Sequence, residues 1–387
     1  MVPTERLAQA LERGELVFHY QPKVSFLTGR IAGAEALLRW PRDDGSCAPA
    51  SDFMPGAAAG GLASTITRRM FPRLVEDLQR IRACSPGTRV AFNVSGLDLD
   101  DGALVGMIRE AVSSGGVDAG CLEIEVTEGT AVSASPAVVR SLTGLLAAGV
   151  SLSMDDYGVG FSSLETLNRL PFSALKMDQS FVLRMLRSPK SATLIKTSIA
   201  MAQLLGLRTV VEGIENEDVY RTLLHYGCDE GQGYWISPPL SLEGYLALLE
   251  AGPRWACSPV GMLRMAQLTH NWQLKLLIDT ILDYVQDAGQ AGAGGVPAAL
   301  HLGHHDCALG QWFYGAGRAL ARYPGFASLE APHRELHDFC GALVAEIAAG
   351  LDRATLRTRL AELSERAAEL GSALQRLETQ LLLAELG

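Results

Sequence analysis

The chain has 387 residues, 48% of them hydrophobic and 20% charged, with a formal net charge of −10. That length allows two domains with sizeable cores, and the composition is that of a globular protein, which excludes disordered and fibrous classes. The acidic balance argues against a polynucleotide-tracking surface, while a small phosphorylated ligand stays open because bound divalent cations reverse the local sign. Seven cysteines lie scattered without paired spacing, which points to a reducing compartment and not to a disulfide framework. No charged-then-apolar leader opens the sequence, and no run approaches the roughly 18 apolar residues of a membrane span. A cytoplasmic protein without membrane insertion is therefore expected.

Along residues 1–252, short apolar runs alternate with amphipathic stretches. Strands are expected near 16–21, 31–38, 88–94, 121–127, 149–155, 173–177, 207–212 and 227–235, with helices over 65–82, 103–114, 137–148, 191–205 and 217–226. Eight strands alternating with helices predict an α/β fold, a (β/α)8 TIM-like barrel. A doubly wound open sheet is the alternative, but it gathers its site at one switch point. Here five runs end on polar groups: Glu35, Asn93, Glu125 with Glu128, Asp155-Asp156, and Glu212. Parallel strands would bring these tips together, and such an oxygen-rich cluster suits Mg²⁺ or Mn²⁺ and is costly without a cation. Asp155 could bridge two ions while Asp156 reaches outward; two cations about 3.5–4 Å apart would clamp the attacking and leaving oxygens of a phosphodiester displacement. Lys176, at another strand end, could orient the attacking water or stabilise phosphate charge, and Glu212 could act as base. Glu123 shares strand parity with Glu125 and reads as structural.

Gly252-Pro253 and Ser258-Pro259-Val260-Gly261 mark a linker over 253–261. Beyond it, over 262–387, helical periodicity returns in 262–286, 299–321, 332–349 and 353–383, which predicts an all-α four-helix bundle. In the last helix Leu356, Leu360, Leu363, Ala367, Leu370, Leu374, Leu377 and Leu381 follow a 4-3 spacing. That stripe is either a dimerising coiled coil or the fourth helix burying its face in its own bundle. His333 and His337 stand at i and i+4 on one helical face, the spacing for a shared metal.

The segment Gly33-Ala34-Glu35-Ala36-Leu37-Leu38-Arg39-Trp40 resembles the signature of EAL-domain cyclic-di-GMP phosphodiesterases. Further motifs follow in family order: Tyr20-Gln21-Pro22, Asn93-Val94-Ser95, Glu125-Val126-Thr127-Glu128, Asp155-Asp156-Tyr157-Gly158, Leu175-Lys176-Met177-Asp178, Val211-Glu212-Gly213-Ile214-Glu215 and Gly231-Gln232-Gly233-Tyr234. The resemblance covers about residues 4–252. It implies Glu35, Asn93, Glu125 and Asp155 on a first metal, with Asp155, Asp156 and Glu212 on a second. It implies catalytic roles for Lys176, Glu212 and Glu35, and Arg39 on the substrate phosphate. Gln21 and Asp178 would lie near the guanine or ribose, Gln232 near the lysine, while Glu128 and Glu215 would brace neighbouring loops. Asp178 reads equally well as the N-cap of the helix that follows it. Two positions depart from the pattern: Val159 replaces a threonine, and Ala57-Ala58-Ala59-Gly60 replaces an acidic pair.

His305-Asp306-Cys307-Ala308-Leu309-Gly310-Gln311-Trp312 resembles the Cys-x-Leu-Gly-x-Trp core of chemoreceptor zinc-binding (CZB) domains, over about 262–349 or to the C-terminus. With His270 as a further ligand, it implies a closed Zn²⁺ site of His270, Cys307, His333 and His337, one ion per chain. His301, His304 and His305 are expected to lie outside that ligand set, and Cys340 to pack as a small hydrophobe. Together the motifs predict a phosphodiesterase that cleaves cyclic di-GMP to 5′-pGpG with two Mg²⁺ or Mn²⁺ ions, regulated by zinc or thiol state and working as a homodimer. The alternatives are a weak or inactive cyclic-di-GMP receptor and a zinc-responsive scaffold with an unidentified signalling partner.

Overall fold

The computed structural model describes residues 4–42, 44–158, 164–185, 189–287 and 303–386. It divides into two compact units: Met1–Ile195 with Leu207–Leu223 and Cys228–Ala256, and Lys196–Gly206 with Leu224–Gly227 and Cys257–Gly387.

The strands are β1 (Val17–Ser25), β2 (Ile31–Pro41), β3 (Cys47–Pro49), β4 (Arg89–Asn93), β5 (Leu122–Thr127), β6 (Ser151–Tyr157), β7 (Ala174–Met177), β8 (Arg208–Val211), β9 (Glu230–Gly231) and β10 (Leu240–Ser241). In the sheet order β10-β1-β9-β8-β7-β6-β5-β4-β2-β3, a further β1–β2 pairing closes eight strands into a barrel. The pairs from β2–β4 round to β8–β9 are parallel, and β5 and β7 are buried along most of their length, their apolar residues alternating with the inward-facing Glu123, Glu125 and Lys176. One strand departs from the expected parallel barrel: β1 runs antiparallel to both β2 and β9. Only Phe26–Arg30 separates β1 from β2, too few residues for a crossover helix, so the chain makes a hairpin. Gly29 (φ 62°) donates its N–H to Ser25 at 2.8 Å to close it. The run expected over 227–235 contributes two strand residues, Glu230 and Gly231, and just beyond them Gly233 lies so close to Ile214 that a Cβ would meet its backbone at 2.3 Å.

Register staggers the strand tips around the barrel mouth: Glu35 lies opposite Ala91, two residues before Asn93, Asn93 lies opposite Glu125, and Asp155 lies opposite Thr127, two residues beyond Glu125. The helices between strands are locally specified too: Ser135 caps Pro136–Ala147 by accepting from the N–H groups of Ala137 and Val138, with Pro136 in the first turn.

The second unit contains the helices Val260–Asp287, Ala308–Tyr314, Pro324–Ala327, Glu330–Ala348 and Arg353–Leu386. The continuous helix expected over 299–321 is shorter than that within the described residues. It starts after Cys307 and stops at Gly315, whose φ of −100° and ψ of −114° are not helical. Leu356, Leu363, Leu370, Leu374, Leu377 and Leu381 are all buried, and their helix packs on Val260–Asp287, Pro324–Ala327 and Glu330–Ala348. Of the two readings of that stripe, burial within its own bundle is the one the packing supports. At about 1.5–3 kcal/mol per fully buried leucine, this face is a main source of the bundle's stability. Among the described residues no helix is long and apolar enough to cross a membrane.

Candidate metal centres

Lys176 on β7 stands at the middle of the barrel mouth and is 1% exposed. Its Nζ lies 2.7 Å from Glu212, 2.8 Å from Glu125, 3.1 Å from Asp155 and 3.4 Å from Glu35. Glu35 accepts from Asn93 Nδ2 at 2.8 Å on one oxygen and from Gln232 Nε2 at 2.8 Å on the other. That bond commits the amide of Asn93 as donor and leaves its carbonyl oxygen available to a cation. Gln232 Nε2 also donates to Gln21 Oε1 at 3.0 Å, and Gln21 Nε2 donates to the Ser237 carbonyl at 3.3 Å. Glu35, Glu125 and Asp155 each offer an oxygen, all within 4.8 Å of one another. Asp156 is exposed and, among the described residues, is the single non-glycine with positive φ, at 61°. Its N–H donates to Asp155 Oδ1 at 2.9 Å, so backbone strain is spent on turning the two adjacent carboxylates apart.

The charges fit a divalent ion. Four carboxylates (Glu35, Glu125, Asp155, Glu212) face two ammonium groups, Lys176 and, deeper in the barrel, Lys23. A formal excess of two negative charges in a largely buried site calls for proton uptake or a cation. Burial would raise Glu35, but Lys176 and Lys23 hold it down to about 2. Burial and the charge of Glu35 push Glu125 up to about 8, and burial pushes Glu212 up to about 7. Burial works against the Lys176 ammonium, yet Asp155, Glu125, Glu212 and Glu35 outweigh it and raise its pKa well above the usual value.

The remaining residues expected from sequence are spread around this cluster. Arg39 follows Glu35 at even spacing on β2, half-buried, with its guanidinium donating to the Leu38 carbonyl at 3.0 Å. The Asp178 carboxylate accepts from the Ser180 N–H at 2.7 Å, the contact of a helix cap. Glu215 accepts from Gln179 at 3.0 Å and is exposed. Glu128 opens the helix Glu128–Val132, buried, with no hydrogen-bond partner for either carboxylate oxygen among the described residues. Val159 lies outside the described residues. A cleft of about 350 Å³ lined by Gln21, Glu212, Glu215, Gln232 and Tyr234 opens beside the cluster. Tyr234, 70% exposed, is an aromatic at its rim to which the sequence motifs assigned no part. Lys23 was missed altogether; its signal was parity, two residues after Gln21 on the same inward face of β1.

In the helical unit His270, Cys307, His333 and His337 each offer a ligand atom, all within 4.8 Å of one another. Cys307 Sγ lies 3.1 Å from His333 Nε2, and the ring centroids of His333 and His337 are 4.8 Å apart. His270 is buried with no hydrogen-bond partner for either ring nitrogen among the described residues, an arrangement that fits a metal ligand and is costly otherwise. Burial lowers His270 to about 4 and His333 to about 3, holding both rings neutral and ready to ligate. Burial pushes the Cys307 thiol up to about 11, while the Gly310 N–H, 3.2 Å from Sγ, partly offsets that and would stabilise a thiolate. The glycine of the Cys-x-Leu-Gly-x-Trp segment has a steric reason: a Cβ on Gly310 would fall 1.9 Å from the His304 carbonyl oxygen. His301 lies outside the described residues. The ring of His304 is 6.3 Å from that of His333, and His305 stacks on Tyr314 at 3.9 Å.

Comparison with known proteins matches both regions. An EAL domain family model matches residues 4–239, and a chemoreceptor zinc-binding domain model matches residues 282–344, a range that includes Cys307, His333 and His337 but not His270. The chain is 36% identical over 245 residues to the bifunctional diguanylate cyclase/cyclic di-GMP phosphodiesterase MucR of Pseudomonas aeruginosa, covering 62% of this chain and 35% of MucR. It is 31% identical over 240 residues to the cyclic di-GMP phosphodiesterase RocR of the same organism, covering 62% of this chain and 61% of RocR. It therefore spans less than two thirds of the length of either relative. The solved structure of PaMucR phosphodiesterase in complex with c-di-GMP aligns with a TM-score of 0.59 at 34% identity, covering 62% of this chain and 98% of that one.

Proposed function

The chain belongs to the EAL-domain family, and from that premise we propose that it is a phosphodiesterase hydrolysing cyclic di-GMP to 5′-pGpG. The observation that carries the reading is the cluster of Glu35, Glu125, Asp155 and Glu212 around buried Lys176. In this reading residues 1–252 form the catalytic barrel, 253–261 a linker and 262–387 a zinc-binding module. Glu35, Asn93, Glu125 and Asp155 would hold one Mg²⁺ or Mn²⁺, and Asp155, Asp156 and Glu212 a second. Bound there, the ions supply Lewis-acid charge to both reacting oxygens of the phosphodiester.

The protein's own groups do the rest. Glu212, 2.7 Å from the Lys176 ammonium, takes the proton of the attacking water. Lys176 offers its ammonium to the charge building on the phosphate. Arg39 grips the phosphate from β2, Gln21 and Asp178 meet the nucleoside, and Gln232 keeps Glu35 in register through its 2.8 Å bond. Glu128 and Glu215 brace the adjoining loops.

His270, Cys307, His333 and His337 would hold one Zn²⁺ per chain, whose occupancy or thiol state regulates turnover across a homodimer. Free cysteines throughout the described residues agree with a cytoplasmic location. Quantifying pGpG with Mg²⁺ or Mn²⁺, with and without zinc, for the wild type, Glu35→Ala and Cys307→Ala tests the whole reading. Nucleotide binding without product would replace it with a receptor. Turnover and oligomeric state indifferent to zinc and to chelator would remove the regulation.

A further inference from the structure

Lys23 is 2% exposed inside the barrel, one layer below the mouth, out of reach of solvent and substrate. Its Nζ lies 2.8 Å from Glu125 Oε1 and 3.5 Å from Glu123 Oε1. The other oxygen of Glu125, Oε2, takes Lys176 at 2.8 Å. One carboxylate is thus divided between two ammonium groups, one facing the reaction site and one facing away. The alternation continues downward. Glu123 also pairs with Arg208, and Arg208 shares Glu230 with Arg89, at 2.8 and 2.7 Å.

Burying such a column is expensive, and apolar residues of similar volume are often as stable or more so. Stability alone therefore does not account for it. A cation at the Glu35–Glu125–Asp155 site would compete with Lys176 for Glu125 Oε2, whereas Lys23 holds Oε1 from the inner side.

We propose that Lys23 is a positioning residue for the metal site: it anchors Glu125 Oε1 so that Oε2 alone stays aimed at the cation. This rests on the metal-dependent reading above. Without the anchor, Glu125 is free to rotate or to chelate through both oxygens, and its charge loses its partner on the inner side. Groups that orient a metal ligand in this way typically change metal affinity by about tenfold to a hundredfold when removed.

The test uses the full chain and Mn²⁺ alone, with bound Mn²⁺ read by electron paramagnetic resonance in the absence of nucleotide. Lys23→Met is expected to weaken Mn²⁺ binding at least about tenfold. The Mn²⁺ concentration for half-maximal turnover should rise by the same factor, with kcat at saturating Mn²⁺ within about threefold of wild type. Lys23→Arg should recover most of the affinity. In a Glu125→Gln background Lys23→Met should add little, since the two act through one carboxylate. Should Lys23→Met not fold by circular dichroism, Lys23→Gln carries the same measurement. Wild-type Mn²⁺ affinity in a folded Lys23 variant, or a fall in kcat at saturating metal with affinity unchanged, overturns the proposal. Wild-type protein that binds Mn²⁺ but makes no pGpG sinks the phosphodiesterase reading and leaves the effect of Lys23 on affinity readable. Wild-type protein that binds no Mn²⁺ overturns both.

Discussion

Replacing Lys176 by methionine removes the cation that touches all four carboxylates at the barrel mouth. Among the described residues only Lys23 would then remain against Glu35, Glu125, Asp155 and Glu212. Breaking a buried ion pair from one side costs about 3–5 kcal/mol, and with Lys176 only 1% exposed there is little solvent screening to reduce it. At about 2–4 °C per kcal/mol for a unit of this size, the metal-free variant should melt about 6–20 °C below wild type. The loss should be larger at pH 8.5 than at pH 6, because at the lower pH the stranded carboxylates take up protons. Saturating Mn²⁺ should return much of the lost melting temperature, while turnover stays at least about a hundredfold down for want of the ammonium. Thermal melts with and without Mn²⁺ at both pH values, alongside pGpG quantification, read all of these. A metal-free variant as stable as wild type at pH 8.5 would refute the view that Lys176 neutralises this site.

Further outcomes follow from particular contacts. Glu125 and Glu212 are raised, to about 8 and about 7, above the ordinary carboxylate value. Their contribution to stability is present below about pH 4.5 and lost as pH rises through 7 and 8. At each ion's site one of those protons must leave, so calorimetric Mn²⁺ affinity should rise about tenfold per pH unit between pH 5 and 7 and level off above; a flat profile would contradict it. Gly310→Ala, whose Cβ would sit 1.9 Å from the His304 carbonyl, should cost the helical unit about 1–3 kcal/mol and lower its zinc retention on dialysis. Leu370→Ala should cost about 2–5 kcal/mol, measured by denaturant unfolding. Because that side chain is already buried inside its own bundle, sedimentation should give an unchanged oligomeric state.

Much of this molecule was written in local pattern. Short apolar runs ending in Glu35, Asn93, Glu125, Asp155 and Glu212 were enough to expect strand tips converging on a cation. The 3.6-residue period after the linker, with His333 and His337 one turn apart, did the same for the helical unit. Such features are legible because each depends on neighbours within one element. What pairing alone decided lies further apart in the chain. β1 turns antiparallel because five residues cannot cross the barrel, and its register against β2 sets Gln21 opposite Glu35 and Lys23 opposite Gly33. Lys23 meets Glu125 across 102 positions, and Lys176 meets Glu35 across 141. The leucine stripe of Arg353–Leu386 was equally good as a coiled-coil seam or as a bundle face, since periodicity states that a face is apolar but not what covers it. Burial and charge compensation are properties of the closed barrel and the packed bundle, because both depend on which groups exclude water together.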